Sequence, residues 1–217
     1  MQEDKLREII KELPPHVSLV AVSKFHPSGA VLQAYDAGQR LFGESRPQEL
    51  RQKALELPSD IRWHFIGHLQ TNKLKMVLPY VEMVESVDSE RLLEAIRKWA
   101  VENGRRVDVL LEVHIASEES KQGFSEAELP AVLGKDWGPV RLRGLMGMAS
   151  NTPDETIVRR EFSRISELFA GIRRDYPSLE TFDCLSIGMS SDWRIALEYG
   201  ATIVRIGTAI FGERKYV

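Results

Sequence analysis

The chain has 217 residues, 43% of them hydrophobic and 28% charged, with a formal net charge of -3. That is the composition of an ordinary globular protein with a substantial core, and its charge argues against a nucleic-acid partner held by a basic surface. Cys184 is the single cysteine, which rules out an internal disulfide and favours a cytoplasmic setting, and no apolar run approaches the roughly 20 residues that cross a bilayer.

The N-terminal MQEDKLREIIKEL is charged and lacks the apolar stretch of a secretory signal. Leu6, Ile9, Ile10 and Leu13 fall at helical spacing and predict an amphipathic first helix. From Val17 onward, strand-like runs alternate with helix-like runs and no linker interrupts them. The predicted strands cover 17–24, 40–43, 62–66, 80–85, 107–114, 142–146, 181–186 and 202–205. Helices are expected over 33–38, 48–57, 69–78 and 90–103, with Gly38 and Gly104 as stop signals. Ser125 with Glu128, and Thr152 with Glu155, read as capping boxes, the second with Pro153 in the first turn. After it, Val158, Phe162, Ile165, Phe169 and Ile172 keep one apolar stripe.

Alternation of this kind implies parallel strands with right-handed crossovers. Eight units in 217 residues predict an α/β fold: a single (β/α)8 TIM-type barrel over residues 1–217, with an extra N-terminal helix. A doubly wound open sheet is the alternative.

In a barrel the chemistry sits where the strands end, and loops after the last two strands often bind a phosphate. VSLVAVSK delivers Lys24 to the end of the first strand. A lysine there is either a harmless cap or a reactive amine, because burying a charge is costly unless it is paired or its pKa falls. SIGMSSD passes from the seventh strand through Gly188 and two hydroxyls into a helix, and RIGT repeats the design one strand later with Gly207 and Thr208. Either segment alone reads as a plain N-cap. On consecutive final strands, they point together to a phosphate.

An amine and a phosphate cradle on one mouth suit a phosphorylated carbonyl compound held as a Schiff base, with pyridoxal 5'-phosphate and sugar phosphates as the common ligands of that description. Arg205 would then donate to a pyridine nitrogen or to the phosphate, or would form a salt bridge inside the mouth. His64 and His114 lack metal-ligand spacing and are expected to hydrogen-bond at the mouth. Met146 and Met148 read as core or as packing against a ligand. The polar run from Ser117 to Gly123 reads as a solvated loop from which Lys121 reaches the mouth as a possible second amine.

AVSKFHP, FGESRPQEL, WHFIGHLQTNK, ESVDS, the EES-K-G loop, GLMGMAS and LSIGMSSDWRIALEYGATIVRIGTAIFGER occur in that order. In these motifs the chain resembles the pyridoxal phosphate homeostasis proteins, an alanine racemase N-terminal-like family, over nearly its whole length. The resemblance implies a monomeric barrel of the fold-type III pyridoxal phosphate class with the cofactor on Lys24. It also implies a phosphate held by Ser190, Gly207 and Thr208, and Arg205 at the ring nitrogen. With Ser45, Met146 and Gly188 these make the expected cofactor-binding set, and no metal is expected. Ser45 and His114 stand where the family commonly has asparagine, which affects contacts to the ring rather than the attachment.

Because arginine stays protonated, it favours an unprotonated pyridine and a weak electron sink. Related racemases add a tyrosine from a further β-domain, for which this chain is expected to have no room. The implied function is therefore a pyridoxal phosphate carrier or buffer in the cytoplasm, meeting cofactor-requiring apoenzymes transiently, with no nucleic-acid or membrane partner. An amino-acid racemase using Lys24 as its only base is the alternative, and a Schiff-base aldolase acting on a sugar phosphate is a third reading.

Overall fold

Eight short, mostly buried runs form strands, as expected of a parallel sheet that is covered on both faces. In chain order the elements of the computed structural model, which describes residues 1–116 and 122–213, are α1 (Glu3–Glu12), β1 (Ser18–Val22), α2 (Ser28–Asp36), β2 (Leu41–Glu44), α3 (Pro47–Glu56), β3 (Arg62–Phe65), α4 (Leu74–Val77), β4 (Met83–Val87), α5 (Glu90–Glu102), β5 (Val107–Glu112), α6 (Leu129–Leu133), β6 (Val140–Met146), α7 (Glu155–Asp175), β7 (Cys184–Ser186), α8 (Trp193–Glu198), β8 (Ile203–Ile206) and α9 (Thr208–Phe211). All eight strands are parallel, and β8 pairs with β1, so the sheet closes into a barrel. The open-sheet alternative is excluded by that pairing.

Closure divides the apolar residues into two sets. Val20, Val22, Leu41, Met83, Leu110, Met146 and Ile203 pack together inside the barrel. A larger set fills the layer between strands and helices, including the whole predicted stripe of α7, from Val158 to Ile172. Each such side chain contributes roughly 1.5–3 kcal/mol, an upper figure for a compact unfolded state.

Four local expectations need correction. In α1 the buried residues are Leu6 and Ile9, while Ile10 is 42% exposed, because α1 rests one narrow edge on α9, where Gln2 N–H donates to Ile210 O at 2.8 Å. Ser125 does not cap a helix: its N–H and hydroxyl both donate to Glu128 (2.8 and 2.7 Å), and α6 starts only at Leu129. The cap of α7 is Asp154, which accepts from Thr156 N–H at 2.9 Å, while Thr152 Oγ1 accepts from Asp154 N–H one turn earlier. The third helix stretch, 69–78, splits into a short 3-10 turn over Thr71–Lys73 and α4. Lys121 lies outside the described residues.

Candidate cofactor-binding site

The mouth of the barrel is assembled from residues just past the strand ends. In the β1–β8 pairing Ala21 faces Ile206. Lys24 is three residues beyond Ala21, and Thr208 is two beyond Ile206, so the amine and the hydroxyl emerge from adjacent strands. Val20 and Val22 belong to the interior cluster, and Lys24 follows two residues past the end of β1, half-buried in the turn that leaves the strand. Gly207 lies against this segment: a Cβ there would sit 3.1 Å from Val22 O and 3.3 Å from Val22 Cβ.

The segments after β7 and β8 are tied to one another. Gly207 N–H donates to Ser190 Oγ at 3.3 Å, and Arg205 N–H donates to Gly188 O at 2.9 Å. Gly188 has φ +94, and a Cβ there would lie 2.7 Å from Ala196 Cβ and 2.9 Å from Trp193 Cα, so only glycine makes this turn without strain. Asp192 fixes the loop by accepting Met189 N–H at 2.5 Å. Ser190 and Gly207 are half-buried and Thr208 is exposed at the start of α9.

Beneath the mouth lies a polar chain inside the barrel. His64 Nδ1 is 2.5 Å from Glu85 Oε1, Ser186 Oγ donates to Glu85 Oε2 at 2.6 Å, and Arg205 Nη1 donates to Ser186 Oγ at 2.5 Å. Arg205 also donates to Ser186 O at 2.8 Å and to Gly147 O at 2.9 Å, and its Nη1 is 3.7 Å from Glu85 Oε2. Contacts from β4 to β7 and β8 are possible only across the interior, so Glu85 points inward. Burial pushes the Glu85 carboxyl up, but the His64 hydrogen bond and the charges of His64 and Arg205 outweigh it and hold the carboxyl below its ordinary value. As an ionised carboxylate accepts only, His64 Nδ1 carries a hydrogen and donates it to Glu85. Its Nε2 is buried with no protein partner among the described residues. Burial lowers the Arg205 pKa, against the carboxylates of Glu85 and Glu112, and a guanidinium in a protein stays charged at neutral pH. Glu112, buried at the end of β5, is raised by burial and by the charge of Asp88.

The remaining expected residues fall around this chain. Met146 is 1% exposed and belongs to the interior cluster, so it forms part of the floor. Ser45 is half-buried one residue past β2, and His114 is half-buried two residues past β5, where its N–H donates to Phe124 O at 3.0 Å. Glu85 and Glu112 had no role in the sequence reading. The available signal was a carboxylate inside an otherwise apolar run, MVESV and VLLEV. A cleft of about 500 Å³ beside Trp137, Arg141 and Thr181 lies at the opposite end of the barrel, away from all of these groups.

A primary amine, a deeper guanidinium, and two glycine-and-hydroxyl segments with helix-start N–H groups form a donor set suited to an aldehyde, a ring nitrogen and a phosphate. The residues present therefore fit pyridoxal 5'-phosphate. Residues 3–215 match the alanine racemase, N-terminal domain family. The pyridoxal phosphate homeostasis protein of Vibrio cholerae is 40% identical over 211 residues, covering 92% of this chain and 86% of the relative. The chain belongs to the pyridoxal phosphate homeostasis protein family, within the alanine racemase N-terminal domain class. A solved member of similar shape is PipY of Synechococcus elongatus with PLP bound: 37% identical, TM-score 0.89, covering 97% of this chain and 99% of PipY. Alanine racemase of E. faecalis shares the barrel at 15% identity and TM-score 0.73, with this chain spanning 57% of its length. That likeness concerns the fold alone.

Proposed function

We propose that this protein holds pyridoxal 5'-phosphate on Lys24 as a Schiff base and serves its homeostasis in the cytoplasm as a monomeric carrier or buffer rather than a catalyst. The observation that supports the reading is the closure of β8 on β1, which brings the end of the strand that precedes Lys24 against Gly207. The names of the relatives and the PLP bound in PipY support it. When bound, the cofactor supplies an aldehyde that condenses reversibly with an amine, releasing one water. Ser190, Gly207 and Thr208 would take the phosphate, Arg205 the ring nitrogen, and Ser45, Met146 and Gly188 the remaining contacts.

The same residues favour holding over turnover. A protonated arginine leaves the ring nitrogen unprotonated, which withholds the electron demand that amino-acid chemistry needs. Removal and return of a proton on opposite faces calls for two positioned groups. His64 is tied to Glu85, and among the described tyrosines, Tyr35, Tyr80, Tyr176 and Tyr199, none follows the end of a strand. Apoenzymes that need the cofactor are the proposed transient partners.

Borohydride reduction and peptide mapping of the yellow protein test the attachment, with the pyridoxyl mass expected on the Lys24 peptide. Solvent deuterium exchange at Cα of L-alanine, followed by NMR, tests the absence of turnover. Exchange faster than with free cofactor, lost in Lys24→Ala and reduced in His64→Ala, would establish the racemase-like alternative.

A further inference from the structure

Glu49 and Lys53 stand one turn apart on α3 and reach the two peptide groups that flank Lys24. Lys53 Nζ donates to Ser23 O at 2.9 Å, and Phe25 N–H donates to Glu49 Oε2 at 2.9 Å. Lys53 also donates to Glu44 Oε1 at 2.6 Å, the oxygen that accepts Ser23 Oγ at 2.6 Å, and it lies 3.8 Å from Glu49. The peptide before Lys24 and the peptide after it are thus both anchored to one helix through charged side chains.

Two features of this arrangement are costly. Lys53 is only 4% exposed, and a buried ammonium is expensive even when paired. Phe25 has φ +67, the one positive φ outside glycine among the described residues, in a region that a bulky side chain rarely enters. Arg46 covers the Phe25 ring at 4.1 Å and pairs with Glu49 at 3.3 Å. Such strain persists only where the surroundings over-determine the backbone, and here they include Glu49 and Lys53, beside the His26 N–H to Ser23 O bond at 3.0 Å that closes the turn.

We propose that Glu49 and Lys53 are positioning residues for Lys24, holding the Ser23–Phe25 backbone in the left-handed turn that directs the amine into the barrel mouth. This rests on Lys24 being the attachment residue, and the experiment separates the two. Borohydride mapping of the unsubstituted protein comes first; a label away from the Lys24 peptide overturns the attachment and the clamp with it. With the label on Lys24, pyridoxal 5'-phosphate affinity is measured by absorbance titration and Phe25 amide exchange by NMR on the protein without cofactor.

Glu49→Ala is expected to weaken affinity about tenfold and to speed Phe25 exchange, since the bond lost is to a charged acceptor. Glu49→Gln, which keeps an acceptor oxygen, is expected to restore most of the affinity. Adding Phe25→Gly to Glu49→Ala is expected to restore part of it too, because glycine holds positive φ as readily as negative, and a purely structural loss would show no such rescue. Lys53→Met, whose stem fills the same slot, is the second variant should Glu49→Ala fail to fold, with the same expected loss and the same rescue by Phe25→Gly. Affinity unchanged in Glu49→Ala or Lys53→Met with the label still on Lys24, or a loss that Phe25→Gly leaves untouched, overturns the clamp while the attachment stands.

Discussion

His64 Nδ1 and Glu85 Oε1 lie 2.5 Å apart on side chains that are 3% and 0% exposed. Glu85 passes the contact on through Ser186 to Arg205, so one carboxylate orients the imidazole and faces the guanidinium beneath the mouth. Removing it would take from the buried Arg205 the largest of the carboxylate charges that offset its burial. Glu85→Ala should therefore cost about 3–5 kcal/mol of stability in urea unfolding, with Glu85→Gln less damaging because it keeps the shape and one acceptor.

The same residue sets an acid limit on the fold. Its folded pKa is depressed below the ordinary 4.5, so its contribution is fully present above that value and is lost as pH falls through the lowered folded value. Glu44, buried beside Lys53, is raised by burial and contributes with the opposite sign as pH rises above 4.5. The clean measurement is therefore a difference: below pH 4.5 the unfolding free energy of the unsubstituted protein should fall more steeply than that of Glu85→Gln.

Lys24→Ala should abolish the visible absorbance of the protein loaded with pyridoxal 5'-phosphate while its far-ultraviolet circular dichroism is retained. Lys24 lies outside the strands and helices, so the barrel does not depend on its side chain. Retained colour with a reducible adduct elsewhere would move the attachment to another amine.

Ser190→Ala and Thr208→Ala should each weaken pyridoxal 5'-phosphate by roughly 1.5–3 kcal/mol, the value of a hydrogen bond to a charged group, and leave pyridoxal nearly unaffected. Titration of both ligands reads the contrast. Equal losses would place the phosphate away from the β7 and β8 loops.

Cys184 should resist alkylation. Burial pushes its thiol up to about 12, and Asp183, which accepts from it at 3.2 Å, adds to the rise. Iodoacetamide at pH near 8 should modify the folded protein about a hundredfold or more slowly than the unfolded chain, whose thiol is ordinary.

The amino-acid sequence by itself determined the elements and their faces. VSLVAV and VDVLLEV are strands because β-branched residues suit a surface buried on both sides, and the stripe from Val158 to Ile172 can be covered only as a helix. It also showed that a lysine, and later two glycine-and-hydroxyl segments, stand at strand ends. The predicted barrel already put the first and last of these on one mouth, but only the β1–β8 pairing decides between that closed sheet and the open one. The two capping boxes went astray for a related reason: a Ser or Thr three residues before a Glu caps only if the backbone turns there, and around Ser125 and Thr152 the chain first makes a separate turn. The inward aim of Glu85, and the reach of Glu49 and Lys53 to either side of Lys24, arise between segments far apart or on different elements. Such contacts follow from the packing of α3 against the barrel and from which face of each strand the closed sheet turns inward, and no local pattern encodes either.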